Sequence, residues 1–375
     1  MAKIVLEHIT KTFGKTVALD DVSLEVANGE FLVLFGPAGA GKTTLLNMIA
    51  GIDDPDCGNI FFDESPMNFV EPRNRNVSMV FENYALYPQM SVYDNIASPL
   101  RSKMHKKDEE TIRSEVERVA KMTGMELYLE RKPSQLSNGQ RQRVALSRAL
   151  VRNPNVFLLD EPIAHLDAKL RNAMRKELKL MQSALSCTSI YVTHDFTEAM
   201  SLGDRIAVLN KGKIVQIGTN AEVYYKPVNE FVAKLFGDCE INILPATVCQ
   251  KDGHMVAVLD CDGAEVEVPE DVAQALKDGE KVDLGCRTPA IHYSRTPANG
   301  HISGTVYTVE PLGNKTQLVV KAGEELIRFI VPVNEKFDLD ENVYLKLNPD
   351  FAIFFDHATE EYLACHDIET LLREV

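Results

Sequence analysis

The sequence predicts a two-part protein: an α/β domain with a covered parallel sheet and a P-loop, then a small all-β domain. Three observations predict it. FLVLF (31–35), NVFLLD (155–160) and SIYVTHD (189–195) are short, nearly unbroken apolar runs, the pattern of strands covered on both faces. GPAGAGKTT (36–44) follows the first run and opens the helical stretch TLLNMIAG, so a glycine-rich loop joins strand to helix. Beyond about Phe236 the runs become short and alternating, separated by Gly, Asp, Asn and Pro.

Taken in order, KIVLEHITKTF and VALDDVSLEV alternate and suit an antiparallel edge sheet. Between Tyr84 and Val151 the strand signal disappears. In DEETIRSEVERVAKMTG, Ile112, Val116, Val119 and Ala120 recur on one helical face, which predicts a helical insertion over about 85–152. VAVLD, AEVEVP, HISGTVYTVE, TQLVVKAG, ELIRFIVP and NVYLKLN predict a barrel or sandwich. The boundary is expected near FGDCEINILP, giving domains 1–236 and 237–375, and the final ETLLREV is expected as a short surface helix.

Composition narrows the function classes. Over 375 residues, 55 acidic side chains oppose 40 basic ones, a net charge of −15. With 45% hydrophobic and 25% charged residues the chain is globular rather than disordered. Its acidity argues against a general nucleic-acid partner, since phosphate neutralisation needs a basic surface. No apolar run approaches the roughly 20 residues that cross a bilayer, and MAKIVLEHIT has charges where a signal peptide is apolar. A role at a membrane therefore implies a partner. Seven scattered cysteines without a C-x-x-C pair predict reduced thiols in a cytosol and no zinc site.

The chemistry is concentrated in four segments. In 36–44, Gly36, Gly39 and Gly41 let backbone N–H groups curl around phosphate oxygens, and the helix N-terminus adds its positive dipole end. Lys42 neutralises β- and γ-phosphates and the Thr43 hydroxyl ligates Mg²⁺. NVFLLDEP ends a buried strand in two carboxylates: Asp160 for Mg²⁺ and Glu161 to polarise an attacking water. Without the phosphate loop, such a pair is more commonly a solvated turn. YVTHD places His194 past a third strand, either as a γ-phosphate contact or as an ordinary structural histidine. LSNGQRQRVALSRAL (136–150) opens a basic amphipathic helix on a Ser-Asn-Gly turn. It is either a second phosphate site, which makes sense if the helix caps a nucleotide held by another subunit, or a solvated helix capped by Ser137 or Asn138.

With these segments in order, the chain resembles an ATP-binding cassette (ABC) transporter ATPase, closest to the ATPase subunits of carbohydrate importers of the maltose and glycerol-3-phosphate type. The resemblance runs through the phosphate loop, ENYALYP, LSNGQRQR, LLDEP, AHLDAKLR and VTHD into the C-terminal β domain, and the order and spacing are highly specific. It implies a P-loop NTPase ABC cassette with a helical subdomain, followed by an OB-like (TOBE/MOP-like) domain. It implies that ATP is held by Gly36, Pro37, Gly39, Ala40, Gly41, Lys42, Thr43 and Thr44, with Phe13 stacking on adenine. Mg²⁺ is implied at Thr43, Asp160 and Glu82, and catalysis at Glu161 and His194. Ser137, Gly139, Gln140 and Arg131 would reach the nucleotide of a second ATP-binding subunit, and Asp167 would couple the two sites. Implied partners are that second cassette, identical or similar, two transmembrane permeases docking near Glu82 and YALYP, and an extracytoplasmic solute-binding protein. The implied location is the cytoplasmic face of the cell membrane.

Four departures qualify the resemblance. Glu82 stands where the family usually has Gln, and AHLD replaces the commoner SNLD. Asn138 replaces the first glycine of the signature turn, a mild change if the backbone there is left-handed, which Asn tolerates. RTPA (287–290) departs from the usual Arg-Pro-Glu stretch. The expected function is the ATP-hydrolysing subunit of an importer, carbohydrate first, with polyamine, phosphonate, sulfate or iron as alternatives. Rival readings are a partly degenerate cassette paired with an active one, kept open by Glu82, and a non-transport ABC ATPase. The latter type carries long coiled-coil insertions or paired cassettes, which this chain lacks.

Overall fold

The computed structural model of the chain describes residues 2–102, 106–164, 166–184, 187–298 and 300–367, with backbone only for 181–184. ETLLREV, expected as a helix, lies outside the described residues, as does His165 of AHLD. The chain divides into two compact units, Met1–Asn220 and Ala221–Val375.

In the first unit the strands are β1 (Ile4–Phe13), β2 (Thr16–Val26), β3 (Phe31–Phe35), β4 (Cys57–Phe62), β5 (Ser65–Pro66), β6 (Val77–Val80), β7 (Val156–Asp160), β8 (Thr188–Thr193), β9 (Arg205–Asn210) and β10 (Lys213–Gly218). They form an antiparallel sheet, β2-β1-β4-β5, and a second sheet, β10-β9-β3-β8-β7-β6, parallel except for β10. Every residue of β3, β7 and β8 is buried, as their apolar runs require. The helices are α1 (Lys42–Ala50), α2 (Val92–Ala97), α3 (Glu109–Met122), α4 (Asn138–Leu150), α5 (Ala168–Ala184) and α6 (Phe196–Leu202). One core packs Leu45, Leu46 and Ile49 of α1 with Leu32 and Leu158 of one sheet and Ile4 and Leu24 of the other. Both sheets thus fix where α1 begins.

Between β6 and β7 the described elements are helical. α3 buries Ile112, Val116, Val119 and Ala120, the expected face, and Asp108 caps it by accepting the Thr111 N–H at 2.8 Å. Asn95 of α2, fully buried, accepts the Tyr87 N–H at 2.8 Å and donates to the Tyr87 and Ser91 carbonyls at 3.1 and 2.9 Å. Arg148 of α4 donates to the Tyr84 and Ala85 carbonyls at 2.9 and 2.7 Å. The ENYALYP segment is therefore pinned by side chains rather than by a strand ladder.

The second unit opens with α7 (Asn220–Tyr225) and α8 (Glu230–Leu235). Its strands are β11 (Asn242–Lys251), β12 (His254–Leu259), β13 (Glu265–Glu267), β14 (Lys281–Cys286), β15 (Ile291–Ser294), β16 (Ile302–Pro311), β17 (Lys315–Ala322), β18 (Glu325–Pro332), β19 (Asn342–Leu347), β20 (Ala352–Asp356) and β21 (Tyr362–Cys365). They build two antiparallel sheets, β13-β12-β11-β14-β20-β21 and β15-β19-β16-β17-β18, over one shared core. Buried Asn242 ties them, accepting the Arg328 N–H at 2.7 Å and donating to the Arg328 carbonyl at 2.8 Å. The change of texture read at Phe236 falls inside this unit, because α7 and α8 pack with the strands. Ala233 clusters with Ile241, Ile353 and Phe355, and Arg287 donates to the carbonyls of Tyr224, Ala233 and Phe236.

Candidate functional site

A cleft of about 330 Å³ is lined by Thr16, Val17 and Ala18 of β2, by 38–44 and by Glu161. It lies at the N-terminus of α1, where backbone N–H groups lack intrahelical partners and favour an anion. Gly41 caps that helix at φ 105°, and a Cβ there would lie 2.6 Å from the Ala18 carbonyl oxygen, so conformation and space both require glycine. Gly36 and Pro37 hold Lys42 from behind: its Nζ donates to their carbonyls at 2.8 and 2.9 Å. Burial lowers the Lys42 pKa, while Glu161 and Asp160 oppose that shift.

Thr43 Oγ1 donates to Asp160 Oδ1 at 3.2 Å. The Asp160 carboxyl at the end of β7 is raised above the usual range first by burial, then by the charges of Glu161 and Glu82; the Thr43 bond and Lys42 work against this. Glu82, on the exposed loop after β6, is thereby placed within electrostatic reach of Asp160. Glu161 takes φ 44°, a left-handed backbone that costs a non-glycine residue about 1–2 kcal/mol. Its Oε2 lies 2.9 Å from His194 Nδ1, just past β8. Strain of this kind persists only where surrounding structure imposes it.

Behind His194 is a buried cluster that sequence reasoning missed. Glu198 accepts the Tyr191 hydroxyl at 2.8 Å and the Thr193 hydroxyl at 2.7 Å, and burial raises its carboxyl. Asp195 caps α6 by accepting the Glu198 N–H at 3.1 Å. The Asp-x-x-Glu spacing resembles a capping box, but the Glu198 side chain turns into the core instead. The β2 residues of the cleft were missed as well, for they carry no distinctive side-chain chemistry.

Other expected residues lie outside this cleft lining. Phe13, half exposed, pairs in register with Thr16, and the Lys11 ammonium sits 5.4 Å above its ring. Ser137 caps α4, accepting the Gln140 N–H at 3.3 Å while Gln140 Oε1 accepts the Ser137 N–H at 3.0 Å. This resolves the choice of cap in favour of Ser137. Asn138 is the first helical residue and is absent from the described residues with positive φ, so no left-handed position exists there to tolerate. Gly139 is buried, and a Cβ on it would lie 2.7 Å from Leu170 Cδ2. Arg131 is exposed and stacks on Tyr128 at 4.8 Å, and Asp167 accepts the Leu170 N–H at 2.9 Å at the start of α5.

The geometry offers an anion-receptive loop, a buried cation, a hydroxyl–carboxylate pair and a carboxylate–imidazole pair. Residues 19–164 match the ABC transporter family and residues 280–355 the TOBE domain family. The chain is 42% identical over 364 residues to the trehalose/maltose import ATP-binding protein of Thermococcus litoralis, covering 90% of this chain and 96% of that one. It is 44% identical over 335 residues to an sn-glycerol-3-phosphate import ATP-binding protein of Rhizobium johnstonii, covering 89% and 88%. A dimeric ATP-binding cassette solved in a post-hydrolysis state with ADP and Pi superposes with a TM-score of 0.52 at 32% identity, over 58% of this chain and 98% of that one. Loop, carboxylates and relatives agree: this chain belongs to the ATP-binding ATPases of the ABC transporter family and carries a TOBE domain in its second unit.

Proposed function

We propose that this chain energises an ABC importer for a carbohydrate or a related polyol phosphate, by hydrolysing ATP between two cassettes. The observation that carries the catalytic assignment is the Glu161–His194 pair at 2.9 Å beside the cleft that holds Lys42 and Thr43. The cargo class is supported by the import proteins to which the chain is similar. ATP lies with its phosphates over 36–44 and its base toward Phe13. Lys42 carries charge for the β- and γ-phosphates. Glu161 takes the proton of the attacking water, and His194 contacts the γ-phosphate.

The residues present fit Mg²⁺. Thr43, Asp160 and Glu82 offer only oxygen, and among the described residues no three His, Cys, Asp or Glu side chains gather into a metal cage. Mg²⁺ is ordinarily held by one or two carboxylates together with substrate phosphates rather than by an all-protein cage. Bound there, the ion would neutralise phosphate charge.

A second copy or a similar cassette meets this one head to tail, placing its Ser137, Gly139, Gln140 and Arg131 on the nucleotide, with Asp167 coupling the sites. Two permeases dock near Glu82 and the pinned ENYALYP loop, a solute-binding protein delivers cargo outside, and the chain is peripheral on the cytoplasmic face. One observation favours a second reading: the charge of Glu82 raises the proton affinity of Asp160. That would make this cassette the slower member of an asymmetric pair.

The test is Glu161→Gln in the assembled transporter. Hydrolysis should fall by about 10²–10⁴ with nucleotide binding retained and an ATP-bound dimer accumulating. A wild-type rate would refute the assignment.

A further inference from the structure

The second unit contains a pocket built around a buried charge. Arg287, directly after β14, is 7% exposed. The groups that act on its charge are Tyr224, Tyr225 and Cys286, with no carboxylate among them, and burial lowers its pKa to about 10. An arginine has five N–H donors. Three bonds are made, all to neutral carbonyls: Nη1 to Ala233 and Phe236, and Nη2 to Tyr224. Buried Nε has no partner.

This arginine lines a cavity of about 330 Å³, walled by Tyr224, Tyr225, Pro289, Ala290, Phe351 and Ile353. The guanidinium stacks on the Tyr224 ring at 4.0 Å, and Tyr225 meets Tyr224 edge to face at 4.9 Å. The volume is at the low end of small-molecule sites, and one convergent polar group in an apolar lining is their usual composition.

The geometry points to a binding site for a small carboxylic acid with a flat apolar body, its carboxylate drawn to the Arg287 guanidinium and its body between the aromatic walls. A buried cation without a counter-ion is costly, and a monoanion removes that cost. Inorganic phosphate would surrender its hydration to walls that return few hydrogen bonds. A sugar would leave buried hydroxyls unsatisfied, each at the cost of its lost hydration. The site is separate from the nucleotide cleft and requires no hydrolysis, so it stands or falls apart from the proposed import function.

The experiment uses the full chain without nucleotide, with binding measured by saturation-transfer NMR and calorimetry. The probes are phenylacetate, its neutral isostere phenylacetamide, inorganic phosphate and glucose 6-phosphate. Phenylacetate should bind saturably and phenylacetamide at least about ten-fold more weakly, which is about 1.4 kcal/mol. Ala290→Leu, which fills the cavity and leaves every Arg287 bond in place, should abolish binding. Arg287→Lys should weaken it about ten-fold or more. If these variants do not fold, the acid–amide pair on the wild-type chain decides alone. Equal affinity for acid and amide, binding of phosphate or glucose 6-phosphate in place of phenylacetate, unchanged binding in folded Ala290→Leu, or no binding of any probe would each overturn the assignment.

Discussion

Lys42 and Arg287 are both buried cations tied down by backbone carbonyls, and burial lowers the pKa of both. Their surroundings differ. Two carboxylates, Glu161 and Asp160, act on Lys42, and a glycine-rich loop opens it to the cleft. Arg287 has aromatic walls and no acid acting on it. A cation already balanced by acids suits a multiply charged anion that arrives with its own metal. A cation without acids suits a single negative charge on an apolar body. The same device, a carbonyl-held cation, therefore selects different ligands according to the charges around it.

The comparison is broken most directly at Lys42. Lys42→Ala should weaken ATP binding about 10–10²-fold, the loss of charge-assisted bonds worth roughly 1.5–3 kcal/mol. Equilibrium binding of a fluorescent nucleotide measures it, and unchanged affinity would remove Lys42 from the site. Phenylacetate binding should be unaffected in the same variant.

Independence of the two regions is tested by truncation. A chain ending after Asn220 should bind ATP within about two-fold of the full chain, since the described cleft residues all precede that point. A chain ending after Phe236 should bind equally well but aggregate more readily. It retains Ala233, fully buried in the intact protein, without Ile353 and Phe355, which pack on it. Light scattering distinguishes the two, and equal solubility would contradict the grouping of α7 and α8 with the strands.

A smaller effect is expected at Glu82, whose charge acts on Asp160 and has no counterpart among the groups acting on Arg287. Glu82→Gln should lower the proton affinity of Asp160 and shift the Mg²⁺ dependence of ATPase activity by a few-fold in the assembled transporter. Faster turnover at saturating Mg²⁺ would favour the slow-cassette reading. Identical curves would make the substitution neutral.

The smallest effect concerns an exposed histidine in the second unit and the buried carboxylate it meets. His357 Nδ1 lies 2.9 Å from Asp283 Oδ1, and that bond raises the imidazole pKa, with Asp260 adding to the shift and Lys281 opposing it. The folded value exceeds the unfolded one, so the stabilisation is complete below the unfolded pKa and is lost as pH rises through the folded pKa. Wild type should therefore lose a little melting temperature between pH 6 and 8 that His357→Asn does not lose. Parallel pH profiles would discard the pair as a contributor.

Much of the cassette is legible in one dimension because its signals are local. FLVLF must be covered on both faces, and it is. The spacing of Ile112, Val116, Val119 and Ala120 admits one helical stripe, and that stripe is buried. The phosphate loop reads clearly because glycine, lysine and threonine act within nine consecutive positions of chain. The second unit was less legible. No run in the sequence marks β11, β14, β15, β20 or β21 as a strand, and the Phe236 boundary reflects a change in texture rather than packing.

By itself, the sequence determined the family, the covered strands, the glycine loop and the identities of Lys42, Thr43, Asp160, Glu161 and His194. Tertiary structure decided what these groups meet. Glu161 and His194 follow different strands and come within 2.9 Å only because β7 and β8 pair in register and Glu161 takes a left-handed turn. Glu198 turns into the core, Asn138 is helical, and Arg287 becomes a buried cation because α7, α8 and β14 converge on it. Periodicity and turn chemistry act between neighbours in the chain and are written in its order. Burial, unpartnered donors and the charges that shift a pKa arise between residues remote in sequence, and only the packed chain brings them together.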